Sequence, residues 1–151
     1  EVGTFTGYSA LCFAEALPEN GCVDTIEMDD ELEDFIRDNC RNSPYENKIN
    51  LYIGDALEII PSLEKMYDLV FLDAEKSQYT RYYDAVFPKV KNGGYILADN
   101  TIWDGKVTQN VLSNDLKTRE IIRFNDLIKA DSRVEKVILP LRDGLTIIRK
   151  K

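Results

Sequence analysis

Short apolar runs that alternate with helix-patterned segments constrain this chain more than any other feature. The runs cover residues 22–27, 49–54, 67–73 and 94–99, with Glu1-Val2 as the stump of an earlier one. Between them lie helical patterns at residues 8–17, 30–42, 56–63, 79–89 and 115–130. Alternation of this kind predicts right-handed βαβ units and a parallel sheet. Pro18, Pro44, Pro61 and Pro88 fall at or near helix ends, where proline does least harm. Two last runs, 134–139 and 145–150, flank a link containing Asp143-Gly144, a turn dipeptide that predicts a closing antiparallel hairpin. The 151 residues, 44% of them hydrophobic, suffice for one sizeable core, and no repeat or linker divides them. One α/β domain over residues 1–151 is expected.

Two of the strand-like runs end alike. Asp73-Ala74-Glu75-Lys76 follows one and Ala98-Asp99-Asn100 closes the next. Acids at the carboxyl ends of parallel strands line the crevice where open α/β sheets bind ligands. One such Asp is ordinarily a helix cap; two strands ending this way point to a metal-assisted site with three hard oxygen donors and one ammonium. The stretch 101–114 follows directly, holds Trp103 and Gly105, and is long enough to read as a substrate-side loop.

Composition removes several alternatives. A net charge of −8 and a pI near 4.6 disfavour a nucleic-acid groove or an anionic membrane surface, both of which need clustered Lys and Arg. No apolar run approaches the roughly 20 residues that span a bilayer, and no signal-peptide pattern opens the chain, so a cytoplasmic location is expected. The chain has no His, which excludes Ser-His and Cys-His nucleophiles and His bases. Acid-base work falls to Lys, Asp, Glu or Tyr. Cys12, Cys22 and Cys40 show no metal or redox spacing and read as reduced, buried small hydrophobes.

Gly3 and Gly7 sit in a turn between the first strand stump and the first helix, where the backbone can approach a ligand and Ser9 and the first helical N–H groups offer donors. The spacing is G-x-x-x-G and lacks the pyrophosphate cradle of a dinucleotide site. Glu27 ends the next run where an α/β nucleotide site places a carboxylate for ribose hydroxyls. Asp55 ends the third, equally readable as an adenine contact or an N-cap, while Asp29, Asp30 and Glu31 read as first-turn acids. An acidic pocket without a phosphate loop suits a nucleoside carrying positive charge, such as S-adenosylmethionine.

With these pieces in place the chain resembles the cation-dependent O-methyltransferases of the caffeoyl-CoA and catechol O-methyltransferase group. The resemblance spans nearly all residues and is carried by Val2 to Ser9, Leu72 to Tyr79, Ala98 to Gly105 and Arg142 to Thr146. It implies a Rossmann-like class I methyltransferase fold: a mostly parallel seven-stranded sheet, a C-terminal antiparallel hairpin, helices on both faces. It also implies that Glu1, Gly3, Thr4, Ser9, Glu27, Asp55, Ala56, Asp73 and Glu75 line an S-adenosylmethionine pocket. Asp73, Asp99 and Asn100 would hold a divalent cation, Mg2+ first, with Ca2+ or Mn2+ as alternatives. Lys76, with Asp73, would be catalytic, as base or electrostatic helper. Lys76, Tyr79, Trp103 and Asp104 would face the substrate, with Tyr82 and Tyr83 assigned to core packing. Many relatives carry Asn where Asp104 stands and Asp where Glu75 stands. Relatives also carry helices ahead of the glycine turn that cap the pocket and build a homodimer, so an N-terminally truncated chain is expected here.

The chemistry so implied is methyl transfer to one hydroxyl of a catechol-like small molecule, ionised beside the cation with Lys76 taking its proton. A nicotinamide-dependent dehydrogenase would need a pyrophosphate loop that the chain lacks. A catalytically weak S-adenosylmethionine-binding module is the other alternative, against which Asp73, Lys76, Asp99 and Asn100 stand intact.

Overall fold

The computed structural model describes all residues, 1–151. The chain resolves into two compact units, 1–63 and 64–151.

In the first unit, helix α1 (Tyr8–Ala16) leads to strand β1 (Val23–Glu27), helix α2 (Glu33–Arg41), strand β2 (Ile49–Ile53) and helix α3 (Ala56–Ser62). β1 and β2 pair in parallel, with Val23 opposite Ile49 and Glu27 opposite Ile53. α1 starts at Gly7, whose φ of 81° is the left-handed geometry glycine tolerates, and stops before Pro18, which disfavours helical backbone at Leu17. Ala10 and Ala14, one turn apart and fully buried, let α1 lie close to Val23. The carbonyls at the end of α1 would lack partners; Lys48 Nζ donates to those of Ala14 and Leu17 at 3.1 and 2.7 Å. α2 buries Ile36 and Cys40 by the same four-residue spacing. The expected helix over 30–42 opens instead as a 3-10 turn, Asp30–Leu32, capped by Asp29.

In the second unit, strand β3 (Tyr67–Leu72) is followed by helix α4 (Tyr79–Val86), strand β4 (Val90–Ala98), helix α5 (Leu116–Ala130) and the strands β5 (Val134–Leu139) and β6 (Leu145–Lys150). The order in the sheet is β3-β4-β6-β5. β3 and β4 are parallel, whereas β6 runs antiparallel to both neighbours. The predicted hairpin therefore forms, but its second strand inserts beside β4 and its first becomes the edge. Side-chain chemistry explains the choice: β6 buries Thr146 and Ile148, while β5 is exposed at Glu135 and Lys136, charges that suit an edge. β4 begins earlier than expected, at Val90, because Gly93 and Gly94 absorb a register shift between Tyr67 and Leu69. A Cβ on Gly94 would lie 2.9 Å from the Lys91 carbonyl oxygen. α4 gives way at Phe87 to a 3-10 turn, Phe87–Lys89, because Pro88 offers no N–H. Tyr79, Tyr83 and Phe124 form the aromatic centre of this unit, with edge contacts to Phe124 at 5.4 and 6.2 Å between ring centres.

The expectation of a mostly parallel seven-stranded sheet is corrected. A two-stranded parallel sheet and a four-stranded mixed sheet are formed, and the Glu1-Val2 stump contributes one parallel bridge, Val2 to Ile26. Two residues before Gly3 cannot sustain a ladder: its bonds end with Ile26 N–H to the Glu1 carbonyl and Gly3 N–H to the Ile26 carbonyl. No helix is long and apolar enough to cross a membrane. Of the cysteines, only Cys40 is buried; Cys12 and Cys22 are exposed, correcting their reading as interior residues.

Candidate functional site

The 64–151 unit brings the expected catalytic and metal residues together at the ends of β3 and β4. After Asp73, Glu75 caps a 3-10 turn, Lys76–Gln78, by accepting the Ser77 N–H at 3.2 Å. That turn folds Lys76 back onto the strand end. Its Nζ donates to Asp73 Oδ1 at 2.8 Å and to the Tyr79 hydroxyl at 2.5 Å. The Lys76 side chain is only 9% exposed while that of Asp73 is 42% exposed, so Lys76 is not a solvated surface lysine. The Asp99 N–H donates to the Leu72 carbonyl at 3.0 Å, and Asp99 Oδ1 accepts the Asn100 N–H at 2.8 Å. Asn100 adopts φ of 59°, the left-handed region that Asn tolerates better than most residues.

The electrostatics of this cluster are lopsided. Burial pushes the Asp99 carboxyl above its usual range, outweighing the Asn100 N–H. The negative charges of Asp73 and Asp143 push the same way and Lys76 opposes them. Two carboxylates and a carboxamide with surplus negative charge fit a hard divalent cation, which takes oxygen ligands and relieves such repulsion. No group of three or more His, Cys, Asp or Glu side chains converges as a metal site; the donor set here depends on Asn100.

Tyr79 departs from expectation. It is fully buried, so it supports the site from inside and does not line it. Its hydroxyl, 3.0 Å from the Leu72 carbonyl oxygen and 2.9 Å from that of Asp99, is a donor whose ionisation is pushed far above the ordinary range by burial and then by Asp73 and Asp99. Trp103 is half-buried and Asp104 exposed, in a 3-10 segment, Trp103–Thr108, where a structureless loop was expected. Both hold positive φ, 50° and 56°. Such geometry persists only where the surroundings impose it. Here the backbone N–H groups of Ile102 and Trp103 donate to the Asp143 carbonyl, and that of Thr101 donates to the Gly144 carbonyl. The Thr146 hydroxyl donates to that of Thr101 at 2.8 Å, and Asn125 Nδ2 to the Thr101 carbonyl at 2.8 Å. The β5–β6 turn thus holds the loop that follows Asp99 and Asn100. Composition at Thr101, Asn125 and Thr146 carried no signal of this support. Glu75 is exposed and paired with Lys117 at 3.1 Å. Burial would raise its carboxyl, but the Ser77 N–H and Lys117 hold it below the usual range.

The 1–63 unit brings the expected cofactor residues together in turn. Gly3 and Gly7 hold φ of 98° and 81°. Glu27 Oε2 accepts the N–H groups of Thr4 and Phe5 at 3.1 and 2.7 Å, and Oε1 those of Met28 and Asp29 at 2.9 and 3.0 Å. A carboxylate offers about four lone-pair sites, so Glu27 is saturated by the glycine turn and the start of the next loop. Thr4 is buried, its hydroxyl 2.6 Å from that of Thr25, which in turn donates to Glu1 Oε2. Ser9 lies half-buried in the first turn of α1. The Gly54 N–H donates to the Glu27 carbonyl, which brings Asp55 and the buried Ala56 to the same strand ends. Asp55 is an N-cap, accepting the Leu57 N–H at 2.8 Å.

Comparison with known proteins gives this arrangement a family. The chain belongs to the O-methyltransferase family, whose pattern it matches over residues 1–151. Caffeoyl-CoA O-methyltransferase 1 of Zea mays is 37% identical over 164 residues, covering 99% of this chain and 62% of that protein. The caffeoyl-CoA O-methyltransferase of Stellaria longipes is 31% identical, covering 99% of the chain and 66% of the relative. The chain therefore spans less than two thirds of the length of either. Among solved structures, the O-methyltransferase TomG of Streptomyces achromogenes, involved in tomaymycin synthesis and crystallised with SAM, superimposes with a TM-score of 0.93 at 26% identity. That match covers 99% of this chain and 71% of TomG.

Proposed function

We propose that the protein transfers a methyl group from S-adenosylmethionine to one hydroxyl of a catechol-like small molecule, in a reaction dependent on a divalent cation. The observation that carries this reading is Lys76: a buried amine held 2.8 Å from Asp73, beside Asp99 and Asn100, is a costly arrangement unless the amine is used. Asp73, Asp99 and Asn100 would hold the cation, Mg2+ before Ca2+ or Mn2+. Glu1, Gly3, Thr4, Ser9, Glu27, Asp55 and Ala56 would hold the cofactor. The caffeoyl-CoA and SAM named for the relatives support a phenolic acceptor and this methyl donor.

When bound, the cofactor supplies an electrophilic methyl group and the cation a Lewis acid for a phenol that otherwise titrates near 10. The chain's own part is positioning and proton handling. Asp73 and Tyr79 fix two of the directions around Lys76 Nζ; the remaining one takes the proton of the reacting hydroxyl if the amine is neutral and offers its lone pair there, or, in the ammonium form, donates an N–H that neutralises the oxygen as charge develops. Trp103 and Asp104 would border the acceptor. Holding two reactants together contributes on the order of 7 to 11 kcal/mol, against roughly 3 to 5 kcal/mol for general-base help, so positioning dominates.

The test is a pair of variants, Asp99→Ala and Asn100→Ala. Methyl transfer should fall by at least about 100-fold, as for loss of a principal electrostatic contact, while affinity for S-adenosylmethionine by calorimetry stays within about threefold. Unchanged turnover in both variants would refute the assignment of a metal to these residues.

A further inference from the structure

The Tyr79 hydroxyl occupies a junction that packing alone does not require. Its ring is already fixed by burial and by the edge contact to Phe124. The oxygen accepts from Lys76 Nζ at 2.5 Å and lies within donating distance of the Leu72 and Asp99 carbonyls. Leu72 immediately precedes Asp73, and Asp99 is itself one of the strand-end acids. One buried group thus touches the amine and the backbone that carries both carboxylates. A phenylalanine would fill the same space and make none of these contacts.

We propose that Tyr79 is a positioning residue, its hydroxyl fixing Lys76 Nζ against Asp73 and tying the carboxyl ends of β3 and β4 at one separation. This rests on the reading of Lys76 as the catalytic amine. The ammonium has three N–H directions, and the fold commits one to Asp73 and one to Tyr79, so the third is aimed by the other two. Without the hydroxyl, a four-carbon stem with several rotamers is held at one point only, and the amine samples positions that serve no acceptor. The sequence carried the residue, three positions after Lys76, and its closeness to the site read as a ligand contact; its full burial places it behind the site instead.

The experiment combines kinetics with amine labelling of the intact protein. In the unmodified protein, brief acetylation read by peptide mass spectrometry should label Lys76 at least about tenfold more slowly than the half-exposed Lys91, a ratio equivalent to about 1.4 kcal/mol of protection. Tyr79→Phe should accelerate labelling of Lys76 severalfold and leave Lys91 unchanged. The same variant should lower kcat by about 10- to 100-fold, the worth of one hydrogen bond to a charged group, with KM for S-adenosylmethionine within about twofold. Phe124→Leu, which loosens the same ring without touching the hydroxyl, should lower the melting temperature but preserve slow Lys76 labelling. Lys76 labelled as fast as Lys91 in the unmodified protein would overturn the proposal without any variant. So would a Tyr79→Phe protein that melts earlier yet keeps both kcat and slow labelling. Equal turnover of Lys76→Ala and the unmodified protein would instead refute the catalytic role of Lys76, and the labelling result would still judge the clamp.

Discussion

At the scale of single residues, Glu27 and Asp131 show how much one carboxylate can organise. Glu27 was singled out in the sequence as a candidate ribose carboxylate from its place at a strand end; its hold on four backbone N–H groups was not legible, since those partners lie in turns whose geometry no pattern specifies. A ribose bound at Glu27, as we propose, would have to share an acceptor that already orders the glycine turn, displacing or bifurcating one of these bonds. Glu27→Ala should therefore weaken S-adenosylmethionine by roughly 1.5 to 3 kcal/mol and also loosen residues 3–5. Calorimetry with unchanged affinity would place the ribose elsewhere. Asp131 works away from the site: it accepts the Tyr83 hydroxyl at 2.9 Å and a bidentate Arg133, whose guanidinium stacks 4.0 Å from the Phe87 ring centre. Arg133, above all, holds the Asp131 carboxyl well below its ordinary range, with the Tyr83 hydroxyl assisting. A folded value below the unfolded one, about 3.9, means the stabilisation is complete above that pH and is lost as pH falls through the lower folded value. Asp131→Asn should cost about 1 to 3 kcal/mol near neutrality, and the gap between the two unfolding curves should begin to narrow below about pH 4 and keep shrinking as pH falls toward the lower folded value. A gap of constant size across that range would contradict the ion pair's role.

At the scale of elements, the alternation of strands and helices was readable because each element buries a face by its own period, as Ala10 and Ala14 on α1 show. Strand order was not readable. That β6 slots between β4 and β5 depends on which hairpin strand has the more apolar faces and on pairing across 47 or more residues, from Ala98 opposite Thr146 to Tyr95 opposite Arg149. Local propensity is blind to such pairing. The candidate site divides in the same way: Asp73, Asp99 and Asn100 at strand ends and Lys76 just after one were singled out, and the structure places them together, whereas the hold of the predicted 143–144 turn on residues 101–103 was not legible. Gly144 is the sharpest test of that support. It holds φ of 86°, and a Cβ there would overlap the Ile102 side chain and lie 2.8 Å from its N. Gly144→Ala should cost roughly 2 to 4 kcal/mol from left-handed strain and overpacking. It should also shift the emission of Trp103, the only tryptophan, because residues 101–103 hang from the 143–144 carbonyls. An unaltered spectrum with normal stability would mean the loop is held by other contacts.

At the scale of the whole molecule, a net charge of −8 with no histidine leaves acid-base chemistry to carboxylates, tyrosine and lysine. Such a field attracts a cationic methyl donor and a divalent metal and repels polyanions. Family membership covers the entire chain, and relatives run on beyond it, so what the protein acts on must be read by assay. On the function proposed, Asp73, Asp99 and Asn100 make methyl transfer depend on a divalent cation. The direct measurement is transfer of a labelled methyl group from S-adenosylmethionine to a panel of catechols, run with Mg2+ and with excess chelator. Mg2+ should yield a labelled methyl ether, and excess chelator should lower the rate at least about 100-fold. Equal rates under the two conditions, or no labelled ether from any catechol, would contradict the proposed function.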